Sequence, residues 1–186
     1  MENILDKAII FATKAHKGQF RKGTKTPYIL HPLEAAAIVG TMTTDNEIIA
    51  AAVLHDVVED TKVSLEEIAN IFSHKVAYLV NSESEDKREN LPPEDTWRIR
   101  KEEALDHLRT SPLDVKMITL GDKLSNMRAI HRDYKTLGDA LWQRFNQKDK
   151  SQHYWYYQTI AAFLSELSEY PAYEEYVTLI NETFKI

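Results

Sequence analysis

One stretch constrains this chain more than any other: Ala50-Ala51-Ala52-Val53-Leu54-His55-Asp56-Val57-Val58-Glu59-Asp60-Thr61. Its first five residues are all apolar, so the segment must enter a core, and it carries a histidine and three carboxylates in with it. Burying ionisable groups together is costly unless something compensates. A divalent cation is the natural compensation, because its charge keeps carboxylates ionised and imidazole neutral. Asp45 stands where it can cap a helix leading into the run, and that helix is expected to carry His55 and Asp56.

The rest of the chain reads as helix. Ile4, Ala8, Phe11, Ala12 and Ala15 share one face of a helix over residues 4 to 16. A loop follows from Lys17 to Tyr28, and Pro32 suits the first turn of a second helix reaching about Met42. Ser64-Leu65-Glu66-Glu67 is a capping-box pattern. Val76 to Val80 is apolar and helical. Asn81 to Asp95, with Pro92-Pro93, reads as a polar loop; Thr96 to Leu108 resumes a helix, and Pro112 opens a long one. Gly138, Asn146 and Pro171 punctuate the last helices. The expected class is all-α, a bundle of roughly eight to ten helices.

With 186 residues the chain suffices for one domain with a real core, so residues 1–186 are read as a single domain. Zero cysteines exclude a disulfide framework and a thiolate metal site. The start of the chain has no signal-peptide pattern and no apolar run approaches a membrane span, so a cytoplasmic location without membrane contact is expected. A net charge of −6 argues against a general nucleic-acid surface, while a local basic patch can still serve a small phosphorylated ligand.

Four residues stand out as metal ligands: His31, His55, Asp56 and Asp122. Two imidazoles with two carboxylates suit Mn²⁺, Fe²⁺ or Zn²⁺ better than a thiophilic metal. Taken alone the pattern is weak, since most helical histidines are packed or surface residues and Asp122 alone fits a surface carboxylate. Glu59 follows His55 by four residues and Asp60 follows Asp56 by four, so an unbroken helix would set both acids on the ligand face. A carboxylate there can orient a water and accept its proton. The plainer reading of Glu59-Asp60 is a solvated helix end.

Four segments give the pattern its context: His16-Lys17-Gly18-Gln19-Phe20-Arg21-Lys22-Gly23, Pro27-Tyr28-Ile29-Leu30-His31-Pro32, Ala52 to Thr61, and Gly121-Asp122-Lys123-Leu124-Ser125-Asn126-Met127-Arg128. In this order they resemble the HD-domain metal phosphohydrolases, and more narrowly the hydrolase domain of RelA/SpoT alarmone enzymes and their stand-alone small alarmone hydrolase relatives. The resemblance covers most of residues 4 to 132 and loosens after Lys135. It implies an HD-domain helical bundle acting as a stand-alone hydrolase. The activity it implies is Mn²⁺-dependent removal of the 3′-pyrophosphate of ppGpp or pppGpp, giving GDP or GTP and pyrophosphate. His31, His55, Asp56 and Asp122 align with the family's metal ligands, and Glu59 and Asp60 with its catalytic acidic pair. Arg21 and Lys22 match a nucleotide-contacting pair, although basic loops are commonly just solvated. Asn126 matches an asparagine near the ribose. Tyr154 matches a pocket tyrosine, although aromatics at helical spacing are usually core. Lys87, Arg98, Arg100 and Lys101 flank the polar loop, and serve either the pyrophosphate end or a solvated face. Ala129 stands where many relatives carry threonine, which removes one nucleotide hydrogen bond. Adenosine alarmones or NADPH are therefore alternative substrates. A nucleotide-binding regulator without catalysis is a third reading, opposed by the full set of six acidic and imidazole positions.

Overall fold

The computed structural model describes residues 3–84, 88 and 90–185. Among them the regular elements are helical: α1 (Ile4–Ala15), α2 (Leu30–Val39), α3 (Asn46–Leu54), α4 (Val57–Asp60), α5 (Leu65–Ile71), α6 (His74–Glu83), α7 (Pro93–Thr110), α8 (Leu113–Leu137), α9 (Lys150–Phe163) and α10 (Pro171–Phe184), with 3-10 turns at Gly138–Arg144 and Ser165–Leu167. The all-α expectation holds. None of these helices is long and apolar enough to cross a membrane.

Several starts are set by caps readable in the sequence. Asp45 accepts from the Glu47 N–H at 2.9 Å and Ser64 from the Glu67 N–H at 3.1 Å, each satisfying an orphan donor of a first turn. Other boundaries depart from expectation. α2 begins two residues before Pro32 and stops at Val39, with Gly40 as its C-cap. The loop expected over residues 81–95 is shorter, because α6 continues to Glu83 and α7 opens at Pro93. Ser82 and Ser84 turn their hydroxyls back onto the Tyr78 and Val80 carbonyls, at 3.0 and 3.1 Å, which consumes their polarity within the helix. Pro93 starts α7 without penalty, since the N–H it lacks would be unpaired there.

The chain divides into two compact units. The first comprises Met1–Ser84 and Pro112–Ser125, and so holds α1 to α6 and the first half of α8. Its centre is α3, which packs against α1, α2 and α6. Ala50, Ala51, Ala52, Val53 and Leu54 are fully buried, and the three alanines keep α3 slim enough to be surrounded. α8 closes on α2 at Gly121: a β-carbon there would lie 2.7 Å from the Ala35 carbonyl oxygen and 2.8 Å from Val39 Cγ2. Only glycine permits that approach.

The second unit comprises Glu85–Ser111 and Asn126–Ile186, with α9 packed on α7 and α10. Its core is aromatic. The Trp142 ring stacks on His153 at 5.0 Å and on Phe184 at 5.4 Å between centroids. Trp97, Tyr156 and Tyr157 are buried beside them.

Candidate metal centre

All four candidate ligands lie in the first unit. His31 sits in the first turn of α2, His55 and Asp56 at the end of α3, and Asp122 on α8 next to the glycine contact. His31 Nε2 is 3.1 Å from Asp122 Oδ1 and 3.5 Å from Asp56 Oδ2. His55 Nε2 is 3.0 Å from Asp56 Oδ2 and 3.7 Å from Asp122 Oδ1. Ligand atoms of His31, His55 and Asp122 fall within 4.8 Å of one another, a spacing that can hold one metal ion. Sequence separations of 24 to 91 residues are thus collapsed onto one point by the packing of α2, α3 and α8.

The hydrogen bonds behind the imidazoles test whether these residues fit a cation. His55 Nδ1 lies 2.8 Å from the Ala52 carbonyl oxygen. A carbonyl only accepts, so Nδ1 carries the proton and Nε2 of the neutral ring keeps a bare lone pair. That Nε2 is buried and makes no hydrogen bond of normal geometry. A buried lone pair 3.0 Å from a carboxylate oxygen is repulsive unless a cation or proton joins them. The donor set therefore fits a metal ion.

The electrostatics agree. Burial pushes the His31 imidazole down, against the pull of Asp122 and Asp56. His55 goes the other way: burial opposes its charged form, but Asp56 and Asp122 together raise it well above the usual imidazole range. Burial also opposes ionisation of both carboxylates, yet His55 holds Asp56 down, and Lys123 followed by the two imidazoles holds Asp122 far down. Lys123 Nζ donates to Asp122 Oδ2 at 2.5 Å, leaving Oδ1 facing the histidines. A field that favours a proton on His55 Nε2 equally favours a metal ion there.

His55 and Asp56 do not lie on a continuous helix, which corrects the sequence expectation. α3 ends at Leu54 and the chain resumes helix at Val57. The Ala52 carbonyl, which residue 56 would use in an unbroken helix, is engaged by the His55 ring. The face shared by Asp56 and Asp60 survives, because the Asp60 N–H still donates to the Asp56 carbonyl at 2.9 Å. The position of Glu59 relative to His55 no longer follows from helix periodicity. Both acids are half-buried.

Tyr28, to which the sequence reading assigns no role, ties this acid to the ligands. Its hydroxyl lies 2.6 Å from Asp56 Oδ2 and 2.9 Å from Asp60 Oδ2. Burial first, then the two carboxylates, push the phenol far above its usual range, so it stays a donor. Gln19 Nε2 donates to the Asp60 carbonyl at 2.9 Å, and Gln19 Oε1 lies 2.7 Å from His16 Nδ1. The loop bearing Arg21 and Lys22 is pinned by the Phe20–Pro27 bridge and by the turn from Arg21 to Thr24, in which Gly23 takes φ 69°. The Arg21 guanidinium lies 5.7 Å from the centre of the Tyr28 ring. Arg21 and Asp60 thus approach one shared side chain, Tyr28. Lys22, on the same loop, is exposed.

Asn126 lies one turn beyond Asp122 on α8, and Tyr154 belongs to the second unit, where its ring meets Phe184 at 5.7 Å. Arg128 is committed to a two-pronged pair with Glu175, both contacts at 2.7 Å. Arg98 lies 3.4 Å from the centre of the Trp155 ring and pairs with Glu102; Lys101 sits over Tyr156. Lys87 lies outside the described residues.

Three more residues, given no role by the sequence reading, support the centre, Ser125 by touching a ligand and Glu34 and Glu83 from behind it. Ser125 Oγ lies 2.9 Å from His31 Nδ1, and Glu34 Oε2 lies 2.8 Å from Ser125 Oγ. Ser125 follows Asp122 by three residues and Glu34 follows His31 by three, so helical spacing from the ligands is a signal that would have found them. Glu83, pushed up to about 7 chiefly by burial, accepts from Thr119 Oγ1 at 2.6 Å. Only tertiary packing brings it to α8, and no sequence spacing foretells that.

Comparison with known proteins places the chain in a family. The family model described as HD domain matches residues 8–150. A Danio rerio protein named guanosine-3′,5′-bis(diphosphate) 3′-pyrophosphohydrolase MESH1 is 36% identical over 132 residues, 69% of this chain and 70% of that one. A GTP pyrophosphokinase of Myxococcus xanthus is 42% identical over 79 residues, 42% of this chain but 10% of that protein. Among solved structures, a metazoan ortholog of SpoT that hydrolyzes ppGpp superposes with a TM-score of 0.74 at 25% identity, over 100% of this chain and 96% of that one.

Proposed function

Because the chain belongs to the HD-domain family, we propose that it is a metal-dependent 3′-pyrophosphohydrolase of guanosine alarmones, converting ppGpp or pppGpp to GDP or GTP and pyrophosphate. The observation that carries this reading is the gathering of His31, His55 and Asp122 ligand atoms within 4.8 Å of one another, with Asp56 Oδ2 3.0 Å from His55 Nε2 and 3.5 Å from His31 Nε2. His31, His55, Asp56 and Asp122 would hold the cation; the mixed nitrogen and oxygen set suits Mn²⁺, Fe²⁺ or Zn²⁺, and the family resemblance implies Mn²⁺ among them. A divalent cation there supplies Lewis acidity and lowers the pKa of water toward neutrality.

The chain's own residues do the rest. Glu59 and Asp60 orient the attacking water and take its proton. Tyr28 holds the Asp60 carboxylate in place. The water oxygen bonds to phosphorus as the bond to the ribose 3′-oxygen breaks, and the acidic pair returns the proton it took from water to that leaving oxygen. Arg21 and Lys22 supply countercharge to phosphate, Asn126 a hydrogen bond to ribose, and Tyr154 a face for the base. The substrate partner is a small nucleotide, and the whole chain works as one hydrolase domain in the cytoplasm.

A second reading keeps the site and changes the nucleotide. It rests on Ala129, which carries no hydroxyl where many relatives have threonine. A product assay decides. Pyrophosphate release from ppGpp should stop with chelator, return with Mn²⁺, and vanish in His55→Ala and Asp56→Ala. Preferential turnover of an adenosine alarmone or of NADPH would establish the second reading. Tight nucleotide binding without turnover in Mn²⁺ would make the protein a regulator.

A further inference from the structure

We propose that Glu34 and Ser125 form a positioning relay that sets the tautomer of His31 and so keeps its Nε2 free for the cation. The inference rests on the metal reading above and adds to it two residues outside the six matched positions. It follows from proton counting. A serine hydroxyl has one proton, and an ionised carboxylate has none to offer. With Glu34 Oε2 2.8 Å from Ser125 Oγ, the hydroxyl must donate to Glu34. Its oxygen then has only lone pairs left for His31 Nδ1 at 2.9 Å, so Nδ1 must carry the ring proton. Nε2, turned toward Asp122 and Asp56, is left bare.

The two histidines are oriented by different means. His55 is held by a backbone carbonyl, which no side-chain substitution removes. His31 is held by side chains alone, so its tautomer is the one sequence can alter. Ser125 is buried with the ring it serves. The relay also joins the two helices that supply ligands, since His31 and Glu34 are on α2 and Asp122 and Ser125 on α8. Without it, the His31 proton can move to Nε2 and bond to Asp122 Oδ1 at 3.1 Å, tying up two ligands at once.

Mn²⁺ titration calorimetry on chelator-treated protein, with long-range ¹H–¹⁵N spectra of the histidine rings, tests this. Ser125→Ala and Glu34→Ala should weaken Mn²⁺ binding about 10- to 100-fold, the range expected for a partner of a metal-ligating histidine. Their spectra should show His31 shifting toward the Nε2–H form. Glu34→Gln retains an acceptor oxygen for the hydroxyl and should bind within about threefold of the parent. The relay is overturned if Ser125→Ala keeps both the parent affinity and the Nδ1–H form. It is equally overturned if Glu34→Gln binds as weakly as Glu34→Ala, because charge and not the hydroxyl's direction would then be the cause. His55→Ala in the same titration separates the two levels: unchanged binding in that variant would sink the metal reading itself.

Discussion

At the scale of single residues, the centre depends on where protons sit. Tyr28 illustrates it. One phenolic proton faces two carboxylate oxygens, at 2.6 and 2.9 Å, so whichever oxygen it serves, the hydroxyl separates two like charges. Tyr28→Phe leaves the ring in place and removes only that proton and oxygen. A hydrogen bond to a charged group contributes about 1.5–3 kcal/mol, so kcat for pyrophosphate release should fall about 10- to 100-fold. Mn²⁺ affinity should change far less, because Asp56 is still held beside His55. Steady-state kinetics with a parallel metal titration checks this; an unchanged kcat would remove Tyr28 from the acidic pair's support. Because burial and the two carboxylates push the phenol far above its usual range, Tyr28 contributes no titration of its own near neutrality.

At the scale of elements, the site exists because α8 can approach α2. Gly121 is where two effects of opposite sign meet. Alanine is the better helix former by about 1 kcal/mol. Its methyl, however, would meet the Ala35 carbonyl oxygen at 2.7 Å and Val39 Cγ2 at 2.8 Å, and overpacking of this kind costs about 1–3 kcal/mol. The obstruction is backbone, which cannot rotate aside, so the clash wins. Gly121→Ala should lower the urea midpoint and weaken Mn²⁺ binding, since Asp122 moves away from His31 with α8. A variant more stable than the parent would show that α2 yields. The same contact marks the boundary of what sequence makes legible. The caps at Asp45 and Ser64 and the buried alanine run could be read directly, because they obey local rules. The break at His55 could not, because it depends on a ring competing for a carbonyl of its own helix. The ligands were legible as residue types in matched segments. Tyr28 and Ser125 stand in those same segments and Glu34 at helical spacing from His31, but their roles come from hydrogen-bond directions that only the folded chain defines.

At the scale of the whole molecule, the distribution of ligands sets how metal and stability are linked. All four belong to the first unit, drawn from α2, the end of α3 and α8. An unfolded chain keeps His31 and Asp122 far from the adjacent pair His55-Asp56, so a cation that binds all four binds the native state far better than the unfolded one. At a free Mn²⁺ concentration 100 times Kd, the linkage is worth about 2.7 kcal/mol. For a chain of this length each kcal/mol moves the midpoint by about 2–4 °C, so Tm should rise by about 5–10 °C. EDTA should reverse the rise, and His55→Ala should abolish it. Mg²⁺ at the same concentration should give a smaller shift, since two imidazoles suit a transition metal better than an ion that prefers oxygen. Hydrogen exchange locates the effect: protection gained with Mn²⁺ should be greatest in α2, α3 and the first half of α8. The aromatic core around Trp142 holds none of the four ligands and should gain less. Equal gains in α9 and α10 would mean that the two units unfold as one, and a melt indifferent to Mn²⁺ would remove the cation from the fold altogether.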